Sequence, residues 1–218
     1  MSLNIKVVDS HRDDVRAALD EIRHRLSPEG NVVSEKGQQK TIEVFGQPLT
    51  PVEVVETICG DVQRQGMAAL LRYGEQLDNA KLTPASIRVS PERMADDHAK
   101  AAPEFLDTIR RIRDNILEFQ RAILHQDVTV KRADGVYLRQ RYTPLRRAGL
   151  CVPGGAAAYP STVLMTAVPA IAAGVANLAV VAPPTPYGAD NADMLATCPE
   201  LGIREVYRVG GAQAVAAL

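Results

Sequence analysis

Three short apolar runs, each closed by glycine or proline, fall in the last third of the chain. Leu150-Cys151-Val152 leads into Pro153-Gly154-Gly155. Leu178 to Ala182 stops at Pro183-Pro184, and Val206 to Val209 stops at Gly210-Gly211. Runs of this length predict strands, and the alanine-rich stretches after them predict helices. Strand–loop–helix three times in succession predicts a parallel, doubly wound sheet. Glycine lacks Cβ, so a ligand or a neighbouring backbone can approach closely at the two glycine pairs. The helix N-termini that follow offer unpaired N–H groups and a positive dipole end, suited to a pyrophosphate. Ligands of open α/β sheets bind beyond the carboxyl ends of the strands, so both pairs are expected on that rim. Taken alone, these loops leave open whether they touch a ligand or only turn the chain.

Before residue 148 the pattern is helical and charged. Val15, Leu19, Ile22 and Leu26 form one stripe, with Ser10 and Asp13 as a capping-box-like start and Pro28 and Gly30 as the stop. Residues 30–49 are polar, with several glycines and a short apolar run from Ile42 to Phe45, and read as an irregular excursion. Thr50-Pro51-Val52-Glu53 is a stronger start, with an N-cap, proline at the first helical position and glutamate three on. Val54, Val55, Ile58 and Val62 follow, and Gly66 is expected to break the helix before Leu70 and Leu71. Ser90-Pro91-Glu92 opens a short helix and Pro103 a long one, its buried face marked by Leu106, Ile109, Ile112, Ile116, Phe119 and Ile123. Arg110, Arg111, Arg113 and Asp114 read as its solvated face. Val128 to Lys131 and Val136 to Tyr142, around Asp134-Gly135, predict a β-hairpin.

Composition narrows the function classes. At 218 residues the chain holds one full domain and part of another, at roughly 100–200 residues per domain. A formal charge of −1 argues against nucleic-acid binding. Cysteines 59, 151 and 198 are scattered and odd in number, which suits a reducing cytoplasm. Met1-Ser2-Leu3 leads into polar sequence without a signal-peptide core. Thr162 to Ala182 is uncharged, but Pro169, Gly174 and Asn177 predict a buried helix, a turn and a buried strand instead of a membrane span. Histidines 11, 24, 98 and 125 lack the spacing that places two imidazoles on one helix face, and each reads as a surface residue. There is no G-x-S-x-G, H-E-x-x-H, Walker lysine or G-x-G-x-x-G.

The local sequence is more specific than these patterns. Cys151-Val-Pro-Gly-Gly-Ala-Ala-Ala-Tyr-Pro-Ser-Thr-Val-Leu-Met165, with Pro169 and Ala173-Gly174-Val175, resembles the histidinol dehydrogenase family. Arg208-Val-Gly-Gly-Ala-Gln-Ala-Val-Ala-Ala-Leu218 resembles a second block of that family, and Asp61 to Gly66 with Ala69-Leu70 and Tyr73 agrees in pattern. The resemblance covers the chain from about residue 50 onward. It implies an α/β fold: a helix-rich N-terminal region with a β-hairpin, then the first half of a Rossmann-like parallel sheet. The implied organisation is a strand-helix arm and irregular segment at 1–49, a helical region with the hairpin at 50–148, and an NAD-binding domain at 149–218.

Members of the family are zinc-dependent homodimers that oxidise L-histidinol through L-histidinal to L-histidine, reducing two NAD. The resemblance implies a cytoplasmic enzyme with no nucleic-acid or membrane partner. The family's zinc ligands and Glu-His acid/base pair lie downstream of the Gly-Gly-Ala-Gln block, so no catalytic or metal residue is expected in this chain, which reads as an N-terminal portion inactive alone. Two family NAD contacts fall inside it. Gln213 matches a glutamine whose amide reaches the cofactor, the alternative being a helix cap or a solvent-facing side chain. Cys151 stands where many members carry tyrosine; a thiol can neither stack as a ring nor donate a phenolic hydrogen bond, so it reads as a small buried strand residue in place of a side-chain cofactor contact. Gly154, Gly155, Gly210 and Gly211 complete the expected cofactor contacts, with Tyr159 a partial substitute for the missing ring. The runner-up readings are a dehydrogenase of another small polyol or amino alcohol, and a non-catalytic module.

Overall fold

The structure, a computed structural model, describes residues 7–27 and 35–218. The chain forms two compact units, Met1–Thr57 and Ile58–Leu218.

In the first unit, α1 spans Val15–Leu26. Its N-cap is Asp14, whose carboxylate accepts from Ala17 N at 3.0 Å, and not Ser10 with Asp13. Asp13 instead closes a preceding turn, accepting from Asp9 N at 2.8 Å, so the start moves along the chain. The predicted stop at Pro28 and Gly30 lies outside the described residues. Leu19, Ile22 and Leu26 of the stripe are exposed. The excursion expected at 30–49 contains a helix, α2 (Glu35–Phe45). Its run of Glu, Lys and Gln has high helix propensity, enough to carry Gly37 in the interior, and Gly46 ends it with φ +77°. The next helix, α3 (Pro51–Gln65), opens on the predicted capping box: Glu53 accepts from Thr50 N at 2.8 Å and Thr50 Oγ1 from Glu53 N at 3.3 Å.

In the second unit Gly66, at φ +54°, separates α3 from α4 (Met67–Asp78). α5 (Pro91–Lys100) is capped by Ser90, and α6 spans Pro103–Ala122. The hairpin forms from β1 (Val128–Lys131) and β2 (Tyr137–Gln140), shorter than its apolar pattern and exposed along its length. β3 (Arg147–Cys151), β4 (Asn177–Ala182) and β5 (Glu205–Arg208) make a parallel sheet in that order. They alternate with α7 (Pro160–Ala172), α8 (Ala192–Glu200) and α9 (Gly211–Ala217). Among the described residues no helix is long and apolar enough to cross a membrane.

Register decides which side chains go where. Leu150, Val180 and Val206 align across the sheet and pack into one core with Val163, Leu164 and Leu195 from α7 and α8. Met94 of α5 and Ile109 of α6 close that core from behind. Burial along α6 is complete only in its first turns, and Ile116 and Leu117 farther on are half-buried against the core. Leu106 and Ile109 are buried, whereas Ile112, Phe119 and Ile123 of the predicted stripe are exposed. Residues 87–89 run antiparallel beside β5 as a strap: Arg208 N donates to Ile87 O at 2.7 Å and Val89 N to Val206 O at 2.9 Å.

Arg110 and Arg113 are not plain solvated surface. Glu200, at the end of α8, accepts from Arg110 Nη2 at 2.6 Å and Nε at 3.0 Å, and shares a 2.7 Å hydrogen bond with His98 Nε2. Arg113 donates to the Glu200 carbonyl at 3.2 Å. One nearly buried carboxylate thereby ties α5, α6 and α8, and His98 is a half-buried partner instead of a free surface residue. Sequence spacing cannot show this, because the partners are about a hundred residues apart.

Candidate functional site

Three loops meet at the carboxyl ends of β3, β4 and β5, and both glycine pairs lie there. Strand period places Leu150 and Val152 against the core and leaves Cys151 on the opposite face, paired in register with Val181. Cys151 is therefore exposed, not the buried strand residue its small size predicts. Its β3 edge is paired only on the β4 side among the described residues.

The two glycine pairs do different work. A Cβ on Gly154 would overlap Gly188 Cα, because the β4–α8 loop lies directly on it. Thr185 Oγ1 fastens the approach by donating to Gly154 O. Nothing lies within 4 Å of the Cβ position of Gly155, which faces open space. The amides of Gly155, Ala156 and Ala157 are exposed, and among the described residues they have no protein acceptor. Gly210 abuts Pro183, whose Cγ would lie 2.8 Å from an added Cβ. Gly211 takes φ +63°, the left-handed region that favours glycine, where α9 begins.

Gln213 is 2% exposed, so it neither caps α9 toward solvent nor faces water. Its Oε1 folds back beside Gly211, 2.8 Å from where a Cβ would stand, and is buried without a hydrogen-bond partner. Buried carbonyls are nearly always paired, which makes Oε1 an unusual atom among the described residues. A groove of about 330 Å³ lies at the same strand ends, lined by Cys151, Pro153, Pro183, Gly210, Gly211 and Val215; Gln213 itself is buried and does not line it. Tyr159 stands as the N-cap residue of α7, half-buried. Cys198, by contrast, is deep in the core, and burial pushes its thiol up to about 12, which removes it from chemistry at neutral pH.

Sequence reasoning missed the residues that hold the rim together. Arg208 Nε donates to Asp190 Oδ1 at 2.8 Å and its Nη1 to Ser86 O at 2.9 Å, joining the β4–α8 loop to the strap. Asn191 caps α8 by accepting from Met194 N at 3.0 Å. The Asn-Ala-Asp start is a readable cap signal; the reach of Arg208 across the fold is not. No three His, Cys, Asp or Glu side chains converge on a metal site among the described residues. The residues present do not fit a zinc ion.

The sequence profile of histidinol dehydrogenase matches residues 47–218. A histidinol dehydrogenase of Rhodopirellula baltica is 60% identical over 210 residues, covering 96% of this chain and 46% of that protein, in its N-terminal part. One from Synechococcus sp. is 46% identical over 164 residues, covering 75% of this chain and 38% of the other. The crystal structure of histidinol dehydrogenase from Elizabethkingia anophelis superposes with a TM-score of 0.69 at 31% identity, over 76% of this chain and 38% of that one. The chain spans less than half the length of these relatives.

Proposed function

The chain belongs to the histidinol dehydrogenase family, and from that premise we propose that it forms the NAD-seating, N-terminal portion of an enzyme that oxidises L-histidinol to L-histidine. The observation that carries this reading is the orphaned Oε1 of Gln213 behind an open glycine rim at the carboxyl ends of a parallel sheet. NAD, when bound, supplies the hydride acceptor for alcohol oxidation. The residues of this chain supply its seat. The amides of Gly155 to Ala157 offer donors to a pyrophosphate, Gly210 and Gly211 let the cofactor approach the backbone, and Gln213 accepts from a cofactor hydroxyl or amide. Gly154 serves the seat indirectly, by letting the β4–α8 loop close on it.

Cys151 lines the groove but brings neither an aromatic face nor a phenolic donor, so it contributes contact area only. Zinc belongs to the family's chemistry, yet no step through it is assigned to these residues. The same reading makes the complete enzyme a cytoplasmic homodimer acting on a small amino alcohol.

The test is calorimetric titration of NAD into the full-length enzyme that contains this chain. Gln213→Ala is expected to weaken NAD by about five- to tenfold, the loss of one hydrogen bond of about 1–1.4 kcal/mol. Cys151→Ala is expected to leave it nearly unchanged. An affinity indifferent to Gln213→Ala yet sensitive to Cys151→Ala reverses the assignment.

A further inference from the structure

A second concavity lies away from the rim, where the amino end of β5 meets α5. Met94 and Ile203 form a buried apolar floor, extended by Pro199, and Arg88, Arg204 and His98 stand around it. Its volume is about 630 Å³, within the roughly 300–1,000 Å³ usual for small-molecule pockets. Of the basic groups there, His98 is held by Glu200 and Arg88 lies near enough to Glu205 to help hold its carboxyl low, whereas Arg204 has no carboxylate partner among the described residues. Arg88 Nη2 donates to Arg204 O at 3.1 Å, which brings two guanidinium-bearing residues to one side of the groove. Among the described residues neither guanidinium forms an ion pair with a carboxylate. The acids nearby are already engaged: Glu205 by Arg147 at 2.5 Å and by the Tyr207 hydroxyl at 2.8 Å, Glu200 by Arg110 and His98, and Asp96 by Lys100 at 2.6 Å.

From this apolar lining and the Arg88–Arg204 pair at its edge, Arg204 without a carboxylate partner among the described residues, we infer that the groove is a binding site for a small amphipathic organic anion, a carboxylate carried on a compact hydrocarbon body. The hydrocarbon covers the exposed Pro91, Ala95 and Pro199, which overlie the buried Met94 and Ile203, and the carboxylate meets Arg88 and Arg204, where the planar guanidinium fork matches carboxylate geometry. A bare inorganic anion leaves the floor wet, and a neutral hydrocarbon leaves the charges unmatched. The chemistry therefore selects a ligand with both parts. This site is independent of the cofactor reading, since it lies at the opposite end of β5 from Gly210 and Gly211.

Titration of the 218-residue chain with octanoate, octanamide, acetate and sulfate tests the assignment. Octanoate is expected to saturate one site, with octanamide, acetate and sulfate each at least about tenfold weaker. Arg204→Gln, which removes a side chain with no protein partner among the described residues, should weaken octanoate by about tenfold at an unchanged melting temperature. Adding Arg88→Gln should abolish saturation. Equal binding of octanoate and octanamide, or octanoate binding unaffected in the double variant, overturns the proposal; sulfate binding as tightly as octanoate reduces the site to a bare anion contact and also overturns it. Should the chain sediment as a dimer that the double variant dissociates, the groove is a self-contact and the ligand assignment falls. NAD titrated alongside is expected to be unaffected by either substitution, so failure here and failure of the cofactor reading are separable.

Discussion

Gln213 is held under two opposing demands. A buried carbonyl without a donor costs about 1–3 kcal/mol relative to a paired one, and the fold carries that cost in the first turn of α9. A methionine there keeps the length of the side chain and removes the orphan. Gln213→Met is therefore expected to raise resistance to urea by about 1 kcal/mol while lowering NAD affinity about five- to tenfold in the full-length enzyme. Loss of both stability and affinity would show that Oε1 has a partner within the folded chain. The contrast between an exposed Cys151 and a core-bound Cys198 arises from strand period and from position in the sheet: Cys151 points away from the core at the end of edge strand β3, whereas its register partner Val181 on central β4 is buried.

At the scale of elements, the Pro153-Gly154-Gly155 turn divides its two glycines between packing and access. Gly154→Ala must push the β4–α8 loop away from Gly188 and is expected to destabilise the second unit by about 1–3 kcal/mol. Gly155→Ala meets nothing and is expected to unfold like wild type. Equilibrium denaturation of the two variants separates them, and equal midpoints would refute the division. The Glu200 knot answers to pH instead. Hydrogen bonds from Arg110 first and His98 next hold the Glu200 carboxyl below the usual glutamate range, against burial, which raises it. A carboxylate with a lowered folded value contributes stability that is complete above the unfolded glutamate value and fades as pH falls through the folded one. Glu200→Gln should therefore lower the melting temperature at neutral pH by roughly 2–4 °C and match wild type in strong acid. A difference that persists unchanged into acid would assign the effect to packing.

These two elements also show what the sequence made legible. Strands, glycine turns, the Thr50 capping box and the break at Gly66 were readable because each is encoded within a few neighbouring residues. α2 was missed because its polar residues and Gly37 hide helix propensity behind loop-like composition. The Glu200 knot and the Arg208 clamp join residues about a hundred positions apart, and no local pattern encodes such a pairing. Both glycine pairs were placed at the carboxyl ends of the strands, yet which glycine faces open space depends on the β4–α8 loop, whose fold follows from Thr185 and Asn191 acting together.

Across the molecule, apolar surface is covered unevenly. Among the described residues β3 is paired on one edge only, the hairpin exposes Val128, Val130, Tyr137 and Leu138, and α1 exposes Leu19, Ile22 and Leu26. Free strand edges and contiguous apolar patches favour association. The isolated 218-residue chain is expected to show a concentration-dependent mass in analytical ultracentrifugation and to bind NAD weakly, at roughly millimolar Kd, about 4 kcal/mol. A strictly monomeric chain at high concentration would show that these surfaces are protected without a second molecule.

The strap beside β5 sets a clock on synthesis. Ile87 and Val89 find their hydrogen-bonding partners only when Val206 and Arg208 have been made, some 120 residues later. At about 5–20 residues per second the ribosome leaves that edge open for roughly 6–24 s. During the interval Met94 and Ile109 also wait for the strands and helices that bury them. The nascent helical segment thus keeps apolar side chains uncovered until the sheet closes, and slow translation between residues 90 and 205 would lengthen that exposure more than slow translation after the sheet has closed.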